Sequence, residues 1–372
     1  MEVVNVSSKS QLKSFIDFPH DLYKNDKNYV PELFIAQRDM LTPGKHPFHN
    51  HSFIQLFLAY EGKRIVGRIA AIYNTNHNAF TQANDGFFGF FDTVDDQRVV
   101  DALLAHSTAW LKEKGANRLV GPVNLSTNDS CGLLVEGFDR PPVAMMPYNM
   151  PYYEKLLIGA GLRKQTDLLA YLVVRDNLND RSVKLLGALE ERLKRSNIRI
   201  RSIDKKNLKQ EIPKIKALYN SAWDKNLGFV PMTDEEFNFL AKDLSMILDP
   251  RYCIIAEQGD KMVGFALGIP DINQILIKVK RGRLFPTGIF KLLFGLKKVT
   301  GVRVLLLGVV DGYRKMGIEA CLYGRLIKNA EGTSLQYAEC SWMLEDNYLM
   351  NHAIEQINGH QYKRYRLFEK TI

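Results

Sequence analysis

Apolar positions along the 372 residues switch repeatedly between two-residue and 3.6-residue spacing. Residues 53–60 and 64–73 alternate around the turn Glu61-Gly62-Lys63 and predict a hairpin. Residues 86–91, GFFGFF, predict a short strand. Over 99–114, Val99, Leu103, Ala109, Trp110 and Leu111 share one helical face, and Gly115 ends it. A helix at 10–18 precedes this set; a strand at 118–124, a helix at 152–161 and a strand at 168–174 follow. The polar run Asp176-Asn177-Leu178-Asn179-Asp180 reads as a linker. A charged helix at 182–196 fits either side of it.

The second half repeats the order. A strand of alternating Arg and Ile at 198–203 is followed by a helix at 208–223. Thr233 with Glu236 three residues on opens a further helix as a capping box. Strands at 252–257 and 262–269 flank the turn Gly259-Asp260-Lys261. An apolar run ends at Val310, and an amphipathic helix follows. A strand at 337–342, a helix at 347–358 and a strand at 362–369 close the chain.

Length and the repeated order predict two domains, 1–178 and 179–372. Composition is that of a soluble globular protein, with 46% hydrophobic and 24% charged residues. No run approaches the ~20 apolar residues that span a bilayer, and residues 1–15 lack the basic start and apolar core of a secretory signal. Cys131, Cys253, Cys321 and Cys340 show no metal or redox spacing, so they read as reduced, buried thiols of a cytoplasmic protein. The histidines show no helical metal pair, and no metal is assigned.

Charge changes the picture more than composition does. The net +9 is concentrated in the second half: residues 1–178 hold 18 Lys/Arg against 19 Asp/Glu, the remainder 32 against 22. Between Asp271 and Asp311 there is no acidic residue, while Lys278, Lys280, Arg281, Arg283, Lys291, Lys297, Lys298 and Arg303 are all basic. Such a field attracts polyanions. Within the insertion 272–303, Ile289, Phe290, Leu292, Leu293, Phe294 and Leu296 intersperse the lysines. This pattern suits peripheral contact with an anionic membrane, including the inner membrane face, or a packing helix, or a lid over a long acyl chain. No nucleic-acid reading module is present, which ranks nucleic acid last among partners.

The apolar run ending at Val310 leads through Asp311-Gly312-Tyr313 into Arg314-Lys315-Met316-Gly317-Ile318-Glu319-Ala320. Strand, glycine-bearing loop and helix N-terminus make an anion site, because first-turn N–H groups are free and the helix dipole favours negative charge. Gly317 removes the side chain that would block close approach. The stretch resembles the acyl-CoA loop of the GNAT N-acyltransferase superfamily, with Arg314, Gly317 and Ala320 at the motif positions and Glu319 where glycine is commonest. The element order of the second half matches the GNAT fold throughout, and the first half matches in outline. The chain thus resembles a bacterial tandem GNAT protein. The resemblance implies an α/β (α+β) class: two GNAT-like domains, each a mixed, mostly antiparallel sheet flanked by helices. In the first half the loop after GFFGFF has no glycine, and Asp92, Asp95 and Asp96 would repel phosphates, so its acyl-CoA loop is degenerate.

The resemblance also implies roles. Val309 and Val310 would offer backbone donors to a thioester carbonyl, and Gly308 would mark a bulge that re-aims the strand. Arg314, Lys315, Met316, Gly317, Ile318, Glu319, Ala320 and Asn347 would hold acetyl-CoA or a longer acyl-CoA. Glu339, with Ser341 on the same strand face, is the first choice of general base and Glu345 the second; Asn347 also reads as a plain N-cap. The tyrosine that often serves as general acid before a Gly-Phe pair is absent, since Ile354 and Glu355 stand there. Tyr323 and Tyr313 are substitutes, while Tyr152 and Tyr153 read as packing residues. The polar loop 124–130 reads as a turn or as a reader of a ligand's polar groups. The implied activity moves an acyl group from CoA to a small-molecule or lipid-like amine such as a sphingoid base. Rival readings are a non-catalytic CoA or metabolite binder and an aminoacyl transferase that uses charged tRNA.

Overall fold

The computed structural model describes residues 1–178, 180–222 and 229–372. Asn179 of the linker and Trp223 at the expected end of a helix lie outside them. In chain order the elements are β1 (Glu2–Asn5), α1 (Lys9–Leu22), α2 (Phe34–Met40), β2 (Phe53–Glu61), β3 (Arg64–Tyr73), α3 (Thr75–Thr81), β4 (Asp85–Thr93), α4 (Gln97–Glu113), β5 (Arg118–Gly121), β6 (Leu133–Glu136), α5 (Tyr153–Gly159) and β7 (Arg163–Val174). Then follow α6 (Asp180–Arg195), β8 (Ile198–Ser202), α7 (Leu208–Ala222), α8 (Asp234–Ile247), β9 (Cys253–Gln258), β10 (Lys261–Pro270), α9 (Asn273–Leu276), α10 (Gly288–Gly295), β11 (Gly301–Val309), α11 (Ile318–Ala330), β12 (Tyr337–Leu344), α12 (Tyr348–Gln356) and β13 (His360–Thr371). The Thr233–Glu236 capping box forms as its spacing predicts.

Two compact units result. One comprises Met1–Leu168, Asn273–Leu293 and Lys363–Ile372; the other comprises Leu169–Ile272 and Phe294–Tyr362. A division at residue 178 misses this interleaving. Most of the basic insertion groups with the first unit because its arginines find acidic partners there. Arg281 donates to Asp21 at 2.7 Å, and Arg283 donates to Asp17 at 3.0 Å while its guanidinium lies over the Phe34 ring. A Cβ at Gly282 would meet the Glu32 carbonyl, so only glycine permits this approach. The insertion is therefore less free as a polyanion attractor than its composition suggests.

In the first unit, β1-β2-β3-β4-β5-β13 are neighbours in that order, and β6 pairs with β13. Phe57, Ile69, Phe88, Leu103, Leu119 and Tyr153 are among its core residues. Strands β4 and β5 run parallel for three pairs, Asp85↔Arg118 to Phe87↔Val120. The strand expected over 118–124 ends at Gly121. Beyond it, Val123 N–H donates to the Phe88 carbonyl at 2.7 Å, and the Asn124 side-chain oxygen accepts from Phe90 N–H at 2.7 Å.

In the second unit the order is β12-β11-β10-β9-β8, all antiparallel except β11 with β12. Ile254, Val263, Val302, Val304, Ile318 and Leu322 are among the core residues shared by sheet and α11. β11 and β12 pair only from Gly301↔Tyr337 to Val304↔Cys340. Against β10, Leu267 opposes Leu306 while Gly268 opposes Val304, which leaves Leu305 as an extra residue. The bulge thus lies at Leu305, immediately after the last parallel pair, and not at Gly308, which stays in register with Phe265. An inserted residue increases local twist, and it does so where β11 leaves β12.

Candidate active site

The second unit has a forked sheet. Beyond Val304 and Cys340 the strands part, and the β11 backbone continues for five residues past its pairing with β12. Val310 N–H donates to the Val263 carbonyl at 3.0 Å, so Val310 faces β10 and its amide is taken up. Alternation then turns Val309 toward the fork, consistent with Arg314 Nε donating to the Val309 carbonyl at 3.3 Å. Of the two expected backbone donors, Val309 alone is oriented for the role.

The strand leads into a loop that ends on a bare helix N-terminus. Gly312, Lys315 and Gly317 all have positive φ, and Tyr313 Oη anchors the loop on Gln258 at 2.8 Å. Gly317 is the N-cap of α11, with φ +87° and no side-chain cap. A Cβ there would come within 2.7 Å of the Leu189 side chain. The first-turn N–H groups of α11 therefore have no internal acceptor. Arg314, Lys315 and Met316 are exposed beside them, and Arg314 holds Asp311 at 3.0 Å. Glu319 sits in the first turn, half-buried. This arrangement fits a diphosphate: free donors, a favourable dipole end and cationic neighbours.

The equivalent positions of the first unit are closed. Its fork is filled by Val123 and Asn124, and a Cβ at Gly89 would lie 2.0 Å from the Val123 carbonyl. The N-terminus of α4 already holds an anion, because Asp96 is its N-cap and accepts from Arg98 N–H at 2.9 Å. Asp92 is different from expectation. It is buried and paired with Arg68 at 2.7 Å and with Tyr23 Oη at 2.7 Å, so its charge is internal. Tyr153 Oη joins the same cluster at 2.9 Å from Tyr23 Oη, and Tyr152 Oη donates to the Thr93 carbonyl, in keeping with packing roles. The polar loop 124–130 serves its own fold: Asn124 N–H donates to the Ser130 carbonyl, and Ser126 Oγ donates to Asp129.

At the base of the second-unit fork, Glu339 is fully buried. It accepts from Ser341 Oγ at 2.6 Å and from the Tyr362 phenol. Arg303, its register partner on β11, is also buried; its Nε donates to Ser341 Oγ at 3.0 Å and its guanidinium covers the Trp342 ring at 5.1 Å. Tyr362 is half-buried and gives the carboxylate its link toward the surface. Glu345 lies six residues further along, half-buried and just past the end of β12. Asn347 caps α12 by accepting from Met350 N–H at 3.4 Å.

On the opposite sheet face, Tyr323 of α11 and Cys340 line a common cavity with Val302 and Val304. The Tyr323 hydroxyl is buried and has no hydrogen-bond partner among the described residues. Burial, with Cys340 and Glu319 nearby, pushes its phenol well above the usual range, which keeps it protonated. The structure thus puts Glu339 and Tyr323 near one fork on opposite faces, with Gly317 at the N-terminus of the helix that bears Tyr323. Ser341, Tyr362 and Arg303 complete the site. Alternation along β12 pointed to Ser341, but nothing in the sequence pairs residue 362 with residue 339.

No profile of a known protein family matches the chain. Protein YghO of Escherichia coli is 38% identical over 98% of this chain and 94% of its own length. The bacterial ceramide synthase of Caulobacter vibrioides is 34% identical over 100% of this chain and 98% of its own. A solved tandem GNAT protein from the clavulanic acid biosynthesis pathway superposes with a TM-score of 0.60, covering 100% of this chain and 98% of that one at 10% identity. This chain belongs to the family of YghO and the bacterial ceramide synthase, and it has the tandem GNAT fold. A GCN5-related N-acetyltransferase from Sphaerobacter thermophilus shares the fold as well, at TM-score 0.52 and 12% identity over 99% and 95% of the two chains. Its tandem GNAT fold is asymmetric: one forked sheet is open and followed by an uncapped helix, and the other is plugged and followed by a carboxylate-capped helix.

Proposed function

We propose that this GNAT protein is an acyl-CoA-dependent N-acyltransferase whose second unit holds the donor and whose acceptor is a lipid-like amine. The observation that carries the reading is the contrast between the two forks: Gly317 leaves its helix end open to an anion, whereas Asp96 fills the other. Arg314, Lys315 and the N–H groups of α11 would hold the CoA phosphates. When bound, CoA supplies an acyl group activated as a thioester.

The remaining chemistry falls to side chains at the fork. The acceptor nitrogen forms a bond to the thioester carbonyl carbon, and the carbon–sulfur bond breaks. Val309 N–H would donate to the oxyanion. An amine with a pKa near ~10.4 must lose a proton first; Glu339 accepts it by way of Tyr362, because the carboxylate itself is sealed from solvent. The sulfur takes a proton from Tyr323, held protonated by burial. Base and acid thus approach from opposite faces of the sheet.

A lipid-like acceptor is supported by two features. One relative carries the name bacterial ceramide synthase. The other is α10 and its approach, where Phe285, Phe290, Leu293 and Phe294 are exposed beside Lys291, Lys297 and Lys298. Apolar anchors among lysines suit an anionic lipid surface, and no helix among the described residues is long and apolar enough to cross a membrane. The test is thiol release from acyl-CoA across a panel of amines. Release with long-chain amino alcohols is expected; CoA binding without release for any amine would favour a non-catalytic binder instead.

A further inference from the structure

The cavity beneath α11 is apolar, and its position gives it a use. It measures about 240 Å3, room for about eight water-sized groups at ~30 Å3 each. Val302, Val304, Ala338 and Cys340 form its floor and Tyr323 and Leu326 its roof. The floor residues are those of the last parallel pairs, so the cavity begins where the fork closes. The roof belongs to the middle of α11, whose first turn is the open anion site. Helix N-terminus, fork and cavity therefore follow one another along the same sheet face. Arg175, Glu331 and Gln336 stand at its polar rim. A second apolar cavity, between α7, α8 and the other sheet face, is about 80 Å3 and has room for only two or three such groups.

We propose that the cavity beneath α11 is the acyl-chain site, and that it selects donors with an acyl group of medium length or longer over acetyl. The proposal rests on the donor reading above for its polarity: phosphates at the helix N-terminus, thioester at the fork, chain running beneath Leu326 toward Ala330. Tyr323 then stands at the junction of head and tail. About eight methylene-sized groups fill the cavity, and longer chains pass Arg175 and Glu331 toward solvent.

The test separates this site from the loop. S-acyl pantetheines lack the nucleotide and do not need the loop. Their affinity, measured by calorimetry from acetyl to dodecanoyl, should rise by about threefold to fourfold per methylene and level off near eight to ten carbons. Ala330→Trp, which fills the rim, should move the plateau to shorter chains; Ala338→Leu serves the same purpose should the first variant fail to fold. Affinity that is flat from acetyl to octanoyl, or a plateau unmoved by a folded variant, overturns the cavity proposal. Failure of unacylated CoA to bind would instead overturn the loop reading, and the pantetheine series would still decide the cavity.

Discussion

Tyr323→Phe should make the protein more stable and a worse catalyst. The hydroxyl is buried without a hydrogen-bond partner among the described residues, while the ring packs against the core of the second unit. An unsatisfied buried hydroxyl costs about 1–3 kcal/mol, so its removal should recover stability of that order. For a unit of this size each kcal/mol raises the melting temperature by about 2–4 °C. If the same hydroxyl protonates the departing sulfur, turnover should fall by about 10²–10⁴-fold. Thermal unfolding without ligand and thiol release with saturating acyl-CoA measure the two effects on one preparation. The phenol lies far above its usual range, so the turnover of the parent protein should show no limb from its ionisation between pH 6 and 9. A destabilised variant would mean that the hydroxyl has a partner after all, and unchanged turnover would remove Tyr323 from the chemistry.

Glu339→Gln should cost about 1.5–3 kcal/mol, because charge-assisted bonds from Ser341 and Tyr362 are weakened; turnover should fall while stabilisation by CoA persists, and full activity would exclude Glu339 as the base. Phe290→Asp with Phe294→Asp should abolish co-sedimentation with phosphatidylglycerol vesicles without altering CoA affinity, and binding that survives would place the lipid contact elsewhere. Acid stability should report Asp85 of the first unit. Burial alone would raise its carboxyl, but hydrogen bonds from His77 and Arg118 outweigh that and hold it at about 2. A lowered folded-state value contributes stability above the unfolded pKa near ~3.9 and loses it as pH falls toward 2. Asp85→Asn should thus flatten the decline between pH 4 and 2, and an unchanged acid limb would show that other carboxylates set it.

Alternation and helical spacing were enough to read the hairpins, α4, α8 and the strand–loop–helix unit of β11 and α11, because long apolar faces leave a periodic trace. The short elements β1, α2, α3 and β6, of four to seven residues, leave too few periods to detect. Local composition also hides partners distant in sequence. Arg281 and Arg283 read as free positive charge until Asp17 and Asp21 are found against them. Asn124 reads as part of a polar turn, yet its amide side chain closes the first-unit fork. Glycine 308 suggested the bulge, but register places it at Leu305, where the end of parallel pairing decides. The open helix end at Gly317 was legible because glycine, β-run and helix are contiguous; the cavity beneath α11 was not, since its walls come from six separate segments.

Binding stoichiometry tests the asymmetry most directly. Calorimetric titration of the full chain with CoA should give one site per chain. Gly317→Asp, which places a carboxylate where Asp96 stands in the other unit, should weaken that site by about 100-fold or more, since like charges in contact cost several kcal/mol. Asp96→Ala should leave both the number and the affinity unchanged. Two equivalent sites, or a single site indifferent to Gly317→Asp, would contradict the account.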